Sequence, residues 1–298
     1  MTTIPAPPTP SRGLPATPPQ GRRRDHLLVC AESLALVALV LVGARGAFVN
    51  VMTGDHTEAV ITMAVIGTAC LLAQISFARR SSLGGLVGGV AALATSLPQL
   101  MATSPRQLPE WWLTTIAVDH SLYVGALLLG GSLGMRQARR AGRAEARTAR
   151  QLAAQDRQMG RQPAAPPSRR RSHLLSGVLT LAAAGAVVLL LRQDGPLVTG
   201  YGYALACALI LLLAAAGTAR STLGARVTGT LLILAGLPGL LWGPLLPSGP
   251  AAPLLPQDPT GTTLVLMGIL LSTLGWGAHA ARRQGRTAQA AALHTREA

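Results

Sequence analysis

Arg22-Arg23-Arg24-Asp25-His26-Leu27-Leu28 returns later in the chain as Arg169-Arg170-Arg171-Ser172-His173-Leu174-Leu175. Each copy is a triple arginine running straight into a long apolar segment. Each opens a block of four such segments, so the chain reads as one membrane module written twice. The apolar runs are about 20 residues long, the length a helix needs to cross a hydrocarbon core of ~30 Å. Lipid offers backbone groups no water partner, so these runs must be helical. Of the 298 residues 49% are apolar and only 12% charged, against about a quarter charged in soluble domains.

The expected fold is an all-α integral membrane protein of eight transmembrane helices, in two tandem four-helix repeats with both termini cytoplasmic. The runs place helices near 27–48, 58–78, 82–103 and 112–134, then near 174–192, 199–219, 223–246 and 261–281. The expected organisation is a disordered Pro-rich tail over 1–21, a first repeat over 22–135 and a basic linker helix over 136–168. A second repeat over 169–283 and a cytoplasmic tail over 284–298 complete it. The tail expectation rests on seven prolines between Pro5 and Pro19, in a segment too polar to fold.

The net charge of +15 comes from arginine alone, there being no lysine. With abundant Ala, Gly, Leu and Pro, that bias fits a GC-rich bacterial genome. With eight crossings, 23 of the 26 arginines fall on one side, leaving only Arg45, Arg106 and Arg192 on the other. The positive-inside rule makes the rich side cytoplasmic and the expected location a bacterial plasma (inner) membrane, multi-pass. Asp55, Glu58, Glu110, Asp194 and Asp258 fall outside, and Trp111, Trp112, Tyr201, Tyr203 and Trp242 near outer interfaces. Because basic residues cluster at the ends of apolar runs, the partners implied are the bilayer and anionic headgroups, not nucleic acid.

The repeat continues past its opening. Arg80-Ser81-Ser82-Leu83-Gly84 matches Arg220-Ser221-Thr222-Leu223-Gly224, and Ser96-Leu97-Pro98 matches Gly236-Leu237-Pro238. Ser132-Leu133-Gly134 matches Thr273-Leu274-Gly275, so the offset runs from 147 to 140 and 141. Four crossings per copy imply halves related by an axis along the membrane normal.

Candidate functional residues are few. Asp119 and His120 fall about a third of the way into the fourth span, and Arg45 lies near the outer end of the first. Charge inside a span is costly and points to function or to a buried partner. Arg45, Asp119 and His120 therefore form a candidate intramembrane polar cluster, or else an ion pair that fixes packing, or Asp119 reaches the interface. Glu32 is a further candidate intramembrane acid, nearer the inside and at a different level. Pro98 and Pro238 sit in matching outer parts of spans, where proline can kink a helix. Gly84-x-x-x-Gly88, Gly130-x-x-x-Gly134 and Gly239-x-x-x-Gly243 allow close helix approach. Prolines at every third position from Pro244 to Pro259 suit a polyproline II rod. Arg136, Arg140, Arg143, Arg147, Arg150 and Arg157 share one face of a helical extension of the fourth span, a candidate anionic-lipid contact.

Cys30, Cys70 and Cys207 lie singly in apolar runs, which argues against disulfides and metal clusters. Walker A, HExxH and Gly-x-Ser-x-Gly patterns are absent from the sequence. No cofactor and no enzymatic activity are expected.

Three features carry a family resemblance: the Arg22–Leu28 opening, the Phe77-Ala78-Arg79-Arg80 break, and Gly130-Gly131-Ser132-Leu133-Gly134 leading into an Arg/Ala-rich helix. In these the first 160 residues or so resemble the multi-span sensor region of actinobacterial histidine kinases. In that family the helix leads to dimerisation and ATPase domains. Here it leads to Pro163 and a second membrane copy, so kinase activity is not implied. The expected function is a non-enzymatic sensory or accessory module acting through a membrane or signalling protein partner. The alternative is a small-solute transporter or permease subunit with its site at the repeat interface. An intramembrane enzyme would need more polar groups around His120.

Overall fold

The computed structural model describes residues 19–102, 108–110, 112, 117–160, 170–191, 197–242 and 260–294. The described residues form eight long helices and no strand. They are α1 Pro19–Thr53, α2 His56–Arg79, α3 Leu83–Met101, α4 Val118–Gln158, α5 Arg170–Leu191, α6 Leu197–Ala216, α7 Thr222–Trp242 and α8 Thr260–His294. A 3-10 turn over Gly217–Ala219 ends α6. Seven of these helices are long and apolar enough to cross a membrane, the make-up of a multi-pass membrane protein. The remaining one, α4, is apolar over its first half and basic over its second.

Four boundaries differ from the sequence reading. Helix α1 begins at Pro19, so residues 19–21 belong to it and not to the tail; proline suits a first helical position, where its missing N–H costs no bond. Helix α4 starts at Val118, after the extended backbone of Ala117, and not near 112. It then runs on to Gln158, and the chain turns at Gly160 with φ +60. The linker helix of 136–168 is thus a continuation of α4 that stops at Gln158. Helix α8 continues to His294, so most of 284–298 is helical. Its last turns are alanine-rich, the composition with the highest helix propensity, and they lie against α4. The Pro244–Pro259 rod, Trp111, Arg106 and Arg192, and the side chains of Tyr201 and Trp242, lie outside the described residues.

Contacts order the helices around a central pair. Helices α4 and α8 pack along each other; α4 also packs on α3 and α6, and α8 on α7 and α2. Helix α1 bridges α2 and α3, and α5 bridges α6 and α7. The pairings within α1–α4 therefore recur within α5–α8. Burial follows from this order: 78% of the α8 span window lies inside the bundle against 17% for α5.

Apolar side chains gain little by leaving lipid for protein, so close packing of small residues must hold such a bundle together. Glycine supplies it here. Any Cβ on Gly229 would meet Gly268, one on Gly236 would meet Gly261, and one on Gly275 would meet Arg226 and Thr222. These contacts, seven residues apart along each helix, bring α7 and α8 close over their whole shared length. Between α3 and α4, Gly85 lies against Leu128 and Ser132, and Gly89 against Leu129. Gly130 and Gly134 seat α4 on α6 at Leu212, Ala215 and Thr218. Pro98 and Pro238 are accommodated inside α3 and α7.

Hydrogen bonds at the arginine-bearing end occur in matching pairs. His26 Nδ1 lies 2.9 Å from Ser81 Oγ, and His173 Nδ1 lies 2.7 Å from Ser221 Oγ. Ser81 Oγ in turn accepts from the Leu83 N–H, as Ser221 Oγ does from Leu223. Arg139 on α4 donates to the carbonyls of Phe77 and Ala78 near the end of α2. Arg282 on α8 donates to the Arg220 carbonyl just past α6. Each arginine places its cation on carbonyls that a helix end leaves unpaired.

Candidate functional site

The polar site is built at the end of the bundle opposite the arginines. Arg45 and Phe48 from α1, Ala117, Asp119 and His120 from the start of α4, Leu191 from the end of α5 and Thr263 from the start of α8 line one open cavity of about 240 Å³. The three residues that the sequence marks as an intramembrane cluster are thus brought together. Asp119 does not lie a third of the way along its helix. It occupies the first turn of α4, because that helix begins at Val118. There its charge faces the positive end of the helix dipole, a favourable placement without any ligand.

His120 is the most enclosed of the polar lining groups, with 4% of its surface exposed. Its Nε2 lies 3.1 Å from Thr263 Oγ1, across the contact between α4 and α8. Its Nδ1 is buried and has no hydrogen-bond partner. A buried ring nitrogen without a partner is costly and leaves a place for a polar solute atom. The Arg45 guanidinium sits 5.1 Å from the centre of the Phe48 ring, which holds the cation at the cavity wall.

Below the cavity the bundle closes. Tyr123 and Leu127, one and two turns further along α4, are 2% and 0% exposed, and Leu266 and Leu270 on α8 are both 0%. Gly131 of α4 lies hard against Leu274 of α8. Beyond that point the two helices cross at Gly142, which meets the Arg282 carbonyl, and at Gly285, which meets the Arg139 carbonyl.

Glu32 is not part of this site. It lies toward the arginine-bearing end of α1 and accepts a 2.7 Å hydrogen bond from Ser76 Oγ on α2. The arginine face of α4 is not one uniform surface either. Arg140, Arg143, Arg147 and Arg157 are exposed, while Arg136 and Arg150 are half-buried. Arg136 donates to Ser82 Oγ at 3.1 Å, Arg147 reaches Gln289 Oε1 at 3.5 Å, and Arg157 donates to the Ala153 carbonyl at 3.1 Å. Burial, with Arg143 nearby, pushes the Arg139 guanidinium below its ordinary range, but arginine starts so high that it stays a cation.

No family model, no curated protein and no solved structure matches this chain.

Three features escaped the sequence reading. Thr263 faces His120, and no pattern around it marks it as polar lining. Glu145 binds Arg282 through Nε at 2.8 Å and approaches Arg286 Nε at 3.1 Å, joining the extensions of α4 and α8 into a paired stalk. Trp276 carries the Arg226 guanidinium 3.8 Å from its ring centre. The Gly142–Arg282 and Gly285–Arg139 contacts exchange positions of α4 and α8 that are 143 apart, the same separation as His120 and Thr263. The matches visible in the sequence run at 141 there, a register two residues short.

Proposed function

We propose that this chain is a non-enzymatic multi-pass protein of the bacterial plasma membrane, with both termini cytoplasmic. In this reading it serves as a sensory or accessory module that passes a signal to a protein partner. Two tandem four-helix repeats, related by an axis along the membrane normal, make up its membrane part. Support for the repeat comes from the matching pairings of α1–α4 and α5–α8 and from the reciprocal contacts of α4 with α8. Support for the orientation comes from the arginines, which gather at the end of the bundle where α1 begins and α8 ends.

One observation carries the functional reading. Helices α4 and α8 each run unbroken from the polar cavity to the paired stalk. A small polar solute held by Arg45, Asp119 and His120 would bear on the starts of both helices. Interiors that are close-packed do not deform smoothly, so a shift there would be carried to the Glu145–Arg282 pair at the other end. The transporter alternative also has its site between the halves, but it requires the tightly packed layer of Tyr123, Leu127, Leu266 and Leu270 to open.

The test is Asp119→Cys in a chain lacking Cys30, Cys70 and Cys207, treated with a membrane-impermeant maleimide from each side in turn. Labelling from the outer side alone is the expected result. Labelling from both sides would favour transport. An inserted, folded protein that is labelled from neither side would reduce Asp119 to a dipole partner and remove the sensing site.

A further inference from the structure

The groove between α5 and α6 breaks the symmetry of the two halves. It encloses about 490 Å³ and runs along α5 from Ser172 to Ala183. Leu179, Leu213 and Gly217 form its apolar wall, and Gln137, Ser172 and Arg220 its polar mouth at the arginine-bearing end. In the first half the corresponding place between α1 and α2 is closed. There Ser76 and Glu32 hydrogen-bond across it, and Leu36 and Ala73 are buried. Leu179 stands where the repeat places Glu32, and Ala216 where it places Ser76, so neither hydrogen-bonding group remains. A Cβ on Gly217 would meet nothing within 4 Å.

We propose that this groove holds one anionic phospholipid from the leaflet at the arginine-bearing end. One acyl chain lies along Leu179 and Leu213, and the phosphate sits at Arg220 and Ser172. This rests on the membrane reading above. Depth favours a lipid: from Ser172 to Ala183 the helix rises roughly 16 Å, about half of a ~30 Å hydrocarbon core, which is the share of one leaflet. Volume agrees, since ligand sites span about 300–1,000 Å³. Charge fixes the headgroup. Arg220 is exposed at the mouth, its carbonyl held by Arg282, and Arg170 and Arg171 are exposed at the start of α5. A helix of another protein would fill the apolar wall without needing that cationic mouth.

The test is native mass spectrometry of the full chain in mild detergent, with dioleoylphosphatidylglycerol or dioleoylphosphatidylcholine added. Wild type should retain a single phosphatidylglycerol, bound about fivefold more tightly than phosphatidylcholine, the preference one surface arginine confers. Arg220→Gln should abolish that preference while leaving thermal stability unchanged. Gly217→Leu, filling the groove from an open position, should remove the retained lipid of either kind. Equal binding of the two lipids by wild type would overturn the headgroup assignment. Lipid retention unchanged in both variants would overturn the groove as the site. If the chain does not fractionate with membranes, the membrane reading fails first, a result distinct from an inserted protein that shows no lipid preference.

Discussion

Replacing Gly142 with alanine sets two effects of opposite sign against each other. In an open helix position the change is stabilising by about 0.8–1.0 kcal/mol through helix propensity. At Gly142 the new Cβ falls well inside 3.0 Å of the Arg282 carbonyl, and α8 backbone cannot swing aside as a side chain would. Restoring ordinary ~3.5 Å separation needs α4 and α8 to part by roughly 1 Å, at a typical overpacking cost of about 1–3 kcal/mol. With the middle of that range, Gly142→Ala should lose about 1 kcal/mol net. Gly285→Ala should do the same, because its Cβ would strike the Arg139 carbonyl at the same crossing. One parting of the helices relieves both clashes, whereas the propensity gain is collected twice. The double variant should therefore be more stable than either single variant by about 1 kcal/mol. Gly177→Ala on α5, where a Cβ meets nothing within 4 Å, should stabilise by about 0.5–1 kcal/mol. Reversible unfolding in mixed micelles, followed by tryptophan fluorescence, reads all four proteins. A double variant less stable than both singles by an additive amount, or a stabilising Gly142→Ala, would refute the close crossing.

Three further outcomes follow from side-chain contacts. Arg139→Ala should cost about 1–2 kcal/mol of stability in the same unfolding assay, since it uncovers the carbonyls that end α2, whereas exposed Arg140→Ala should cost under about 0.5. Trp276→Leu should cost about 1–2 kcal/mol, because it strips the ring from a guanidinium whose Nε and Nη2 have no hydrogen-bond partner. His26→Ala and His173→Ala should each cost about 1 kcal/mol and add within ~0.5 in the double variant, as their serine partners lie in different halves.

The membrane bundle was legible because lipid leaves a sequence few choices. Apolar length gave the helices, and the arginine bias gave two ends that the contacts reproduce. Boundaries were less legible for a specific reason. Hydropathy reports where a helix is apolar, not where it stops: arginine spacing marked the extension of α4, which ends at Gln158, whereas the extension of α8 to His294 looks like a tail. Both are held by packing at Gly142, Gly285 and Glu145, and such contacts have no one-dimensional signature. The cluster of Arg45, Asp119 and His120 was recognisable because intramembrane charge is rare. Thr263 was not, since threonine is common in membrane helices and only the register of α8 against α4 brings it to His120. Glu32 was equally visible, yet Ser76 satisfies it at the other end of α1.

Symmetry and asymmetry divide along chemical lines. Positions that obey the pairing of the halves are glycines, carbonyl-capping arginines and the His–Ser pairs, all of which set how closely backbones approach. Positions that depart from it are polar groups at cavities. His120 faces Thr263, Glu32 has its counterpart in Leu179, and Ser76 in Ala216. Backbone contacts between α4 and α8 belong to one shared interface, so a change in either helix moves both. A side chain lining a cavity touches little else, so it can change in one half alone without disturbing the crossing. The two departures also fall at opposite ends of the bundle, one making a polar cavity beside α4 and the other an apolar groove beside α5. Under the proposed repeat, exchanging cavity residues between α1–α4 and α5–α8 should alter binding at the proposed sites while leaving the unfolding midpoint in place.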